Sequence, residues 1–286
     1  MWIVYAVLSS FFAGITAILA KCGIKNTDSN IATAMRTSVV LFFSWLLVLF
    51  TGVFTEIKSI NLQTFIFLIL SGLATGASWL CYFRALQLGN VNKVVSIDKS
   101  STVLTIILAV IFLHETFTLT KGLAIILISL GTMLMITKTT DNIPKANQNQ
   151  WLIYALLSAL FASATTILGK IGIREIDSNL GTAIRTSVVF IMAWLMVFVT
   201  KKEGEIKRFE KNEFVFIMSS GLATGISWLC YYKALQDGLT SVVVSIDKLS
   251  IIVTLVFSRI VFKERFSKKM LLGTVCILFG TLLLIV

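Results

Sequence analysis

Apolar residues in this chain run in ten long stretches, broken by short clusters of charged and polar residues. The stretches lie at roughly 2–20, 31–51, 63–83, 93–113 and 119–137, then 151–169, 180–200, 212–232, 242–262 and 268–286. Each approaches the ~20 residues that a helix needs to cross ~30 Å of hydrocarbon. Unpaired backbone groups facing lipid cost several kcal/mol each, so every stretch is expected to be continuous helix. In the first stretch, Lys21 and Lys25 follow the apolar run instead of preceding it, and the segment recurs at 151–169. That order predicts a retained span rather than a secretory signal.

The two sets of five are copies. Residues 2–137 align with 151–286 at a constant offset of 149, without insertion or deletion, and 64 of 136 positions are identical. Asp28-Ser29-Asn30 returns as Asp177-Ser178-Asn179, Arg36-Thr37-Ser38 as Arg185-Thr186-Ser187, and Ser96-Ile97-Asp98-Lys99 as Ser245-Ile246-Asp247-Lys248. The organisation read from this period is a first five-span repeat over 1–138, a linker over 139–150 and a second five-span repeat over 151–286. An odd number of spans per repeat makes the second copy enter the bilayer from the opposite face. The predicted fold is an all-α integral membrane protein of ten transmembrane helices in two inverted five-helix repeats.

Charge refines this plan. Six basic positions are shared between copies and cancel under inversion; of the thirteen unshared ones, twelve fall on one side and only Lys121 on the other. The positive-inside rule makes the crowded side cytoplasmic and places both termini outside. Hydrophobic residues make up 57% of the 286 and charged residues 14%, which leaves no soluble basic domain to carry the net charge of +11 to a nucleic acid. Four Cys and one His are too few for a disulfide framework or a zinc site, and no nucleophile–base constellation appears. Neither an enzyme, a cofactor nor a metal is expected.

Asp98-Lys99 and Asp247-Lys248 stand about six or seven residues inside the fourth and ninth spans. A charge at that depth costs at least ~2.5–3.5 kcal/mol, so these residues should face a polar interior. Adjacent residues diverge by about 100° on a helix, so each Asp is expected to pair elsewhere, with Arg36, Arg185 or the Lys of the other copy. Ser96 and Ser245 belong to the same stretches. Gly72/Gly76 and Gly221/Gly225 have the spacing that lets helix backbones approach closely. Trp79 and Tyr82, with their copies Trp228 and Tyr231, sit at i and i+3 and share a face that can pack or line a cavity with cation–π contacts. Glu115 and Glu264, at the ends of the fourth and ninth spans, read as caps or interfacial anchors. Together these give a candidate substrate site of Asp98, Lys99, Asp247, Lys248, Arg36, Arg185, Ser96, Ser245, Trp79, Trp228, Tyr82 and Tyr231.

Trp79–Leu86 and its copy Trp228–Leu235, with Leu113-His114-Glu115, Phe262-Lys263-Glu264, Gly131-Thr132 and Gly280-Thr281, resemble the EamA-type members of the drug/metabolite transporter superfamily. The chain is similar throughout, and looks like a fusion of two subunits of the half-size five-span subgroup. The resemblance implies a ten-span secondary transporter of a small solute. It also marks two departures: the family often has Pro near Lys99/Ser100 and Lys248/Leu249, so the usual helix break is expected to be missing, and its Gly before Glu is His114 and Lys263 here. Ten-span relatives generally keep both termini in the cytoplasm, opposite to the charge count.

The expected function is alternating-access transport of a small polar or zwitterionic metabolite across the plasma or inner membrane, proton-coupled or by exchange, because inverted repeats commonly enclose a midplane site. The expected partners are that solute, protons and the lipid bilayer, with no nucleic acid; a monomer and a homodimer are both compatible. Alternatives are a flippase or scramblase for an amphipathic headgroup and a non-transporting structural or sensor protein.

Overall fold

The computed structural model describes residues 1–23, 28–88, 94, 97–98, 100–135, 150–200, 211–261, 263 and 267–285. Among them the regular structure is helical, with no strand. The first half contributes α1 (Trp2–Gly23), α2 (Ser29–Thr51), a 3-10 segment (Val53–Ser59), α3 (Leu62–Leu88), α4 (Ser101–Phe112) and α5 (Leu119–Met135). The second contributes α6 (Gln150–Gly172), α7 (Ser178–Val199), α8 (Lys211–Asp237), α9 (Thr240–Asp247), α10 (Ser250–Val261) and α11 (Lys268–Ile285). Eight described segments are long and apolar enough to cross a bilayer, with Thr240–Val261 counted as one, and Ser101–Phe112 and Leu119–Leu134 are shorter.

Burial follows the logic of a lipid solvent. On α1, Ser9 and Ser10 are buried while Val4, Val7 and Phe11 are exposed. Without a hydrophobic drive between helices in hydrocarbon, small and hydroxylated residues make the closest contacts and large apolar ones face outward. Repeated motifs also set helix ends. Asp28 caps α2 by accepting from the Asn30 N–H at 2.9 Å, and Asp177 caps α7 by accepting from Asn179 at 2.9 Å and Leu180 at 3.4 Å. Each carboxylate satisfies donors that the first helical turn leaves open.

Continuous helix over 242–262 is not what forms. The Lys248 and Leu249 N–H groups bond the Ser245 and Ile246 carbonyls at 3.1 and 2.9 Å, a tightened i+3 pattern, and α10 restarts at Ser250. The Thr281 hydroxyl lies within hydrogen-bond reach of both the Ser245 carbonyl, at 3.2 Å, and the Ile277 carbonyl of its own helix, at 2.9 Å. In the first half, Ser100 N bonds Ile97 O at 3.0 Å, Ser100 Oγ bonds the same carbonyl, and α4 begins at Ser101. The break after Asp247 is therefore present without proline, and hydroxyl groups of Ser100 and Thr281 bond carbonyls beside the corresponding turns.

The described chain packs as two compact units, and each draws on both halves: Met1–Leu73, Leu168–Gly238 and Ser250–Glu264 form the first, and Ala74–Ile167, Leu239–Leu249 and Arg265–Val286 form the second. In the first unit α1 runs antiparallel to α8. Ser9 meets Ser227, Thr16 meets Ser220, and a Cβ placed on Gly23 would touch Ile217 at 2.8 Å, so numbers rise on one helix as they fall on the other. Helices α2 and α7 exchange equivalent hydrogen bonds: Trp45 Nε1 donates to Ser187 Oγ at 3.0 Å and Trp194 Nε1 to Ser38 Oγ at 3.1 Å. Trp45 and Trp194 are copies, as are Ser38 and Ser187, and Ser and Trp stand seven positions apart on each helix. Parallel neighbours would hold each Trp about 10 Å from the other helix's Ser at 1.5 Å per residue, so the exchange requires antiparallel helices.

In the second unit, α5 and α11 make a matching exchange. A Cβ on Gly131 would lie 2.6 Å from Gly273 O, and one on Gly280 would lie 3.1 Å from Ala124 O, where 131/280 and 124/273 are again copies. Ser78 on α3 donates to Ser158 O on α6 at 3.0 Å. The first helix of each half thus packs on the third helix of the other.

Candidate functional site

In the first unit, Thr224, Trp228 and Tyr232 recur at i, i+4 and i+8 and form one stripe of α8. Two repeat-related arginines meet this stripe. Arg36 comes from α2 and donates from Nη2 to Thr224 Oγ1 at 3.0 Å. Arg185 comes from α7 and is 2% exposed; its Cζ stands 5.2 Å from the Trp228 ring centre and 4.4 Å from that of Tyr232, and its Nε donates to Ser71 Oγ at 3.3 Å. Both rings lie within the ~6 Å over which an aromatic face attracts a cation.

The glycine motif and the arginines form one device. A Cβ on Gly72 would stand 2.9 Å from Arg185 O, and one on Gly221 would stand 3.0 Å from Arg36 O. Each backbone carbonyl carrying an Arg presses onto the first glycine of the other half's Gly-x-x-x-Gly, and only a missing side chain permits that approach. A Cβ on Gly225 would stand 3.7 Å from Val40 Cα, an ordinary contact.

Trp228 and Tyr231, at i and i+3, are expected to share a face; the second ring over Arg185 is that of Tyr232, at i+4 from Trp228. Tyr231 packs edge-on against Tyr232, with ring centres 5.4 Å apart. The copy of Tyr232 is Phe83, so the repeat carries no matching hydroxyl at that position. Ser71 and Thr224 were quoted only as parts of the glycine motif, although their hydroxyls receive the guanidinium groups.

Asp98 lies in the second unit, half-buried, and accepts from Ser158 Oγ at 3.1 Å. Ile97, Tyr82, Trp151 and Tyr154 pack about the buried Ala85, Val94 and Ala155 beside it. Among the described residues, Asp98 holds Ser158 in the second unit and Arg36 holds Thr224 in the first. Asp247 ends α9 and Lys248 begins the turn after it, both half-buried; Ser245 is buried and its hydroxyl returns to Ser241 O at 2.8 Å. Trp79 is half-buried in the second unit. The expectations at Ser96, Lys99 and Glu264 fall outside the described residues.

Glu115 is a cap, but a buried one and for a distant helix. Its Oε1 accepts from Thr240 N at 2.6 Å and its Oε2 from Ser241 Oγ, which closes the N-terminus of α9, where Leu239 supplies no side-chain cap. Lys121 Nζ pairs with the same carboxylate at 3.1 Å. Just before it, His114 has φ 55°, and its copy Lys263 has φ 53°. Where the resembling family carries glycine, this chain holds a left-handed backbone with a side chain.

A cavity of about 550 Å³ opens elsewhere in the first unit. Phe43, Phe50 and Ile226 are among its apolar walls, and Asp177, Asn179 and Lys233 lie along its polar margin.

Comparison with known proteins followed the same halves. The family described as "EamA-like transporter family" matches residues 1–137 and again 149–286. A protein described as "Uncharacterized transporter in cobO 3'region", from Sinorhizobium sp, is 43% identical over 134 residues, which cover 47% of this chain and 95% of that protein. "Uncharacterized transporter YxxF", from Bacillus subtilis (strain 168), is 26% identical over 210 residues, 73% of this chain and 66% of that one. A solved crystal structure superposes with a TM-score of 0.78 at 12% identity, covering 97% of this chain and 95% of that one, a likeness of fold alone.

Proposed function

We propose that this chain, which belongs to the EamA-like transporter family, is a secondary transporter that moves a small polar metabolite by alternating access through ten spans in two inverted halves. The observation that carries this reading is the exchanged pairing of copies, Trp45 with Ser187 and Trp194 with Ser38. Halves related in this way can trade conformations, and the trade moves access from one membrane face to the other. The matched contacts of Gly131 and Gly280 support the same relation. Within this reading, Asp98 and Asp247 exchange protons with the solute or the medium.

In this reading the plasma or inner membrane is the site of action and both termini lie outside. The sole exception to the charge asymmetry is Lys121, which is buried against Glu115, so it does not compete with the basic loops for orientation. The test of function is uptake by proteoliposomes containing the purified protein. Asp98→Asn and Asp247→Asn should abolish the dependence of transport on pH, and transport that keeps the wild-type pH profile in both variants would remove the two carboxylates from the mechanism.

The polar margin and apolar walls of the 550 Å³ cavity favour a second reading, the handling of an amphipathic molecule with a charged headgroup. Scrambling of labelled phospholipid in the same vesicles, without solute uptake, would select it.

A further inference from the structure

We propose that the two guanidinium groups on the α8 stripe form a binding site for an organic dianion, with a dicarboxylate as its substrate class. This rests on the transport reading and narrows its polar metabolite to an acid carrying two negative groups. Arg36 is fixed at Thr224 and Arg185 between Trp228 and Tyr232. Four to eight residues at 1.5 Å each place the groups roughly 6 to 12 Å apart along the helix. All of these residues lie in the first unit.

Among the described residues no carboxylate pairs with Arg36, and its Nε is buried without any hydrogen-bond partner. A hydroxyl satisfies one of its five N–H groups and none of its charge. An arginine in an apolar span is expensive, faces the bundle interior or a cavity, and marks a substrate or ion pathway by default. A second buried guanidinium nearby adds like-charge repulsion, which a bridging dianion would convert into attraction at both ends. The planar fork of Arg matches carboxylate oxygens in pairs, and at Arg36 the buried Nε is a donor still unused. Thr224 sits at the fourteenth of the 27 residues of α8, so the stripe begins near the middle of that helix. A cationic or neutral solute would leave Arg36 as costly as before.

The experiment is isothermal titration and thermal unfolding of the purified full-length protein in detergent, at fixed ionic strength, with succinate, acetate and putrescine as probes. Saturable succinate binding with a raised unfolding midpoint is expected, because a ligand of the folded form stabilises it. Acetate should bind at least tenfold more weakly, and putrescine should not bind. Arg36→Gln should fold, since it replaces a buried charge by a neutral group, and should bind succinate at least tenfold more weakly; Arg36→Lys should recover part of that loss. Absence of saturable succinate binding overturns the proposal, and so does an Arg36→Gln variant that binds as wild type does. Protection by phosphatidylglycerol with no response to succinate assigns the pair to lipid phosphate, and also overturns it. Uptake of a neutral or cationic solute without succinate binding defeats this inference and leaves the transport reading standing. Succinate binding without uptake of any solute does the opposite.

Discussion

Removing the Glu115 carboxylate should be among the most destabilising single changes in the second unit. Its side chain is 5% exposed and that of Lys121 is 8% exposed, so neither charge has water to fall back on. The carboxylate accepts from Thr240 N, Ser241 N, Ser241 Oγ and Lys121 Nζ. Glu115→Ala strands the ammonium and uncaps α9 together. Breaking a buried pair from one side costs about 3–5 kcal/mol, and loss of a cap adds about 1 kcal/mol. Glu115→Gln keeps an acceptor for the α9 N–H groups but gives up the charge, so about 1–3 kcal/mol should be lost. Adding Lys121→Met to Glu115→Gln removes the stranded charge and should recover much of that loss. Unfolding of the detergent-purified protein, followed by tryptophan fluorescence across a denaturant series, would rank wild type first, the double variant next, then Glu115→Gln and Glu115→Ala. A Glu115→Ala midpoint equal to wild type, or a double variant below Glu115→Gln, would refute the account of a charge-paired cap.

His114→Gly should stabilise the protein. A left-handed backbone costs a side-chain-bearing residue about 1–2 kcal/mol, and glycine returns about 0.5–1 kcal/mol of that as chain entropy, so a net gain near 1 kcal/mol is expected in the same assay, with His114→Val shifting the midpoint the other way. For orientation, a C-terminal reporter active only in the cytoplasm should stay silent while one active only outside gives signal; the reverse pattern would overturn the charge-derived placement.

The amino-acid order alone determined the helical membrane class, the duplication and the family likeness. Those features depend on length, hydropathy and repetition, which are local or periodic properties of the chain. The Asp-Ser-Asn blocks are legible as repeats, and the capping they perform is local, since a cap acts within one turn of its own helix. The helix break at Lys248 has no proline to announce it; what marks it is the tightened i+3 bonding of Lys248 and Leu249 to Ser245 and Ile246. Distance along the chain hid the partners of the charges. Asp98 found Ser158, Arg36 found Thr224, and Glu115 found the start of a helix more than 120 residues further on. Tertiary structure decided these pairings: a buried charge bonds to whichever donor or acceptor the packed helices bring near it, and each half's first helix lies against the other half's third. The sequence named the charged residues that needed partners, and packing chose which hydroxyls, rings and backbone groups would serve.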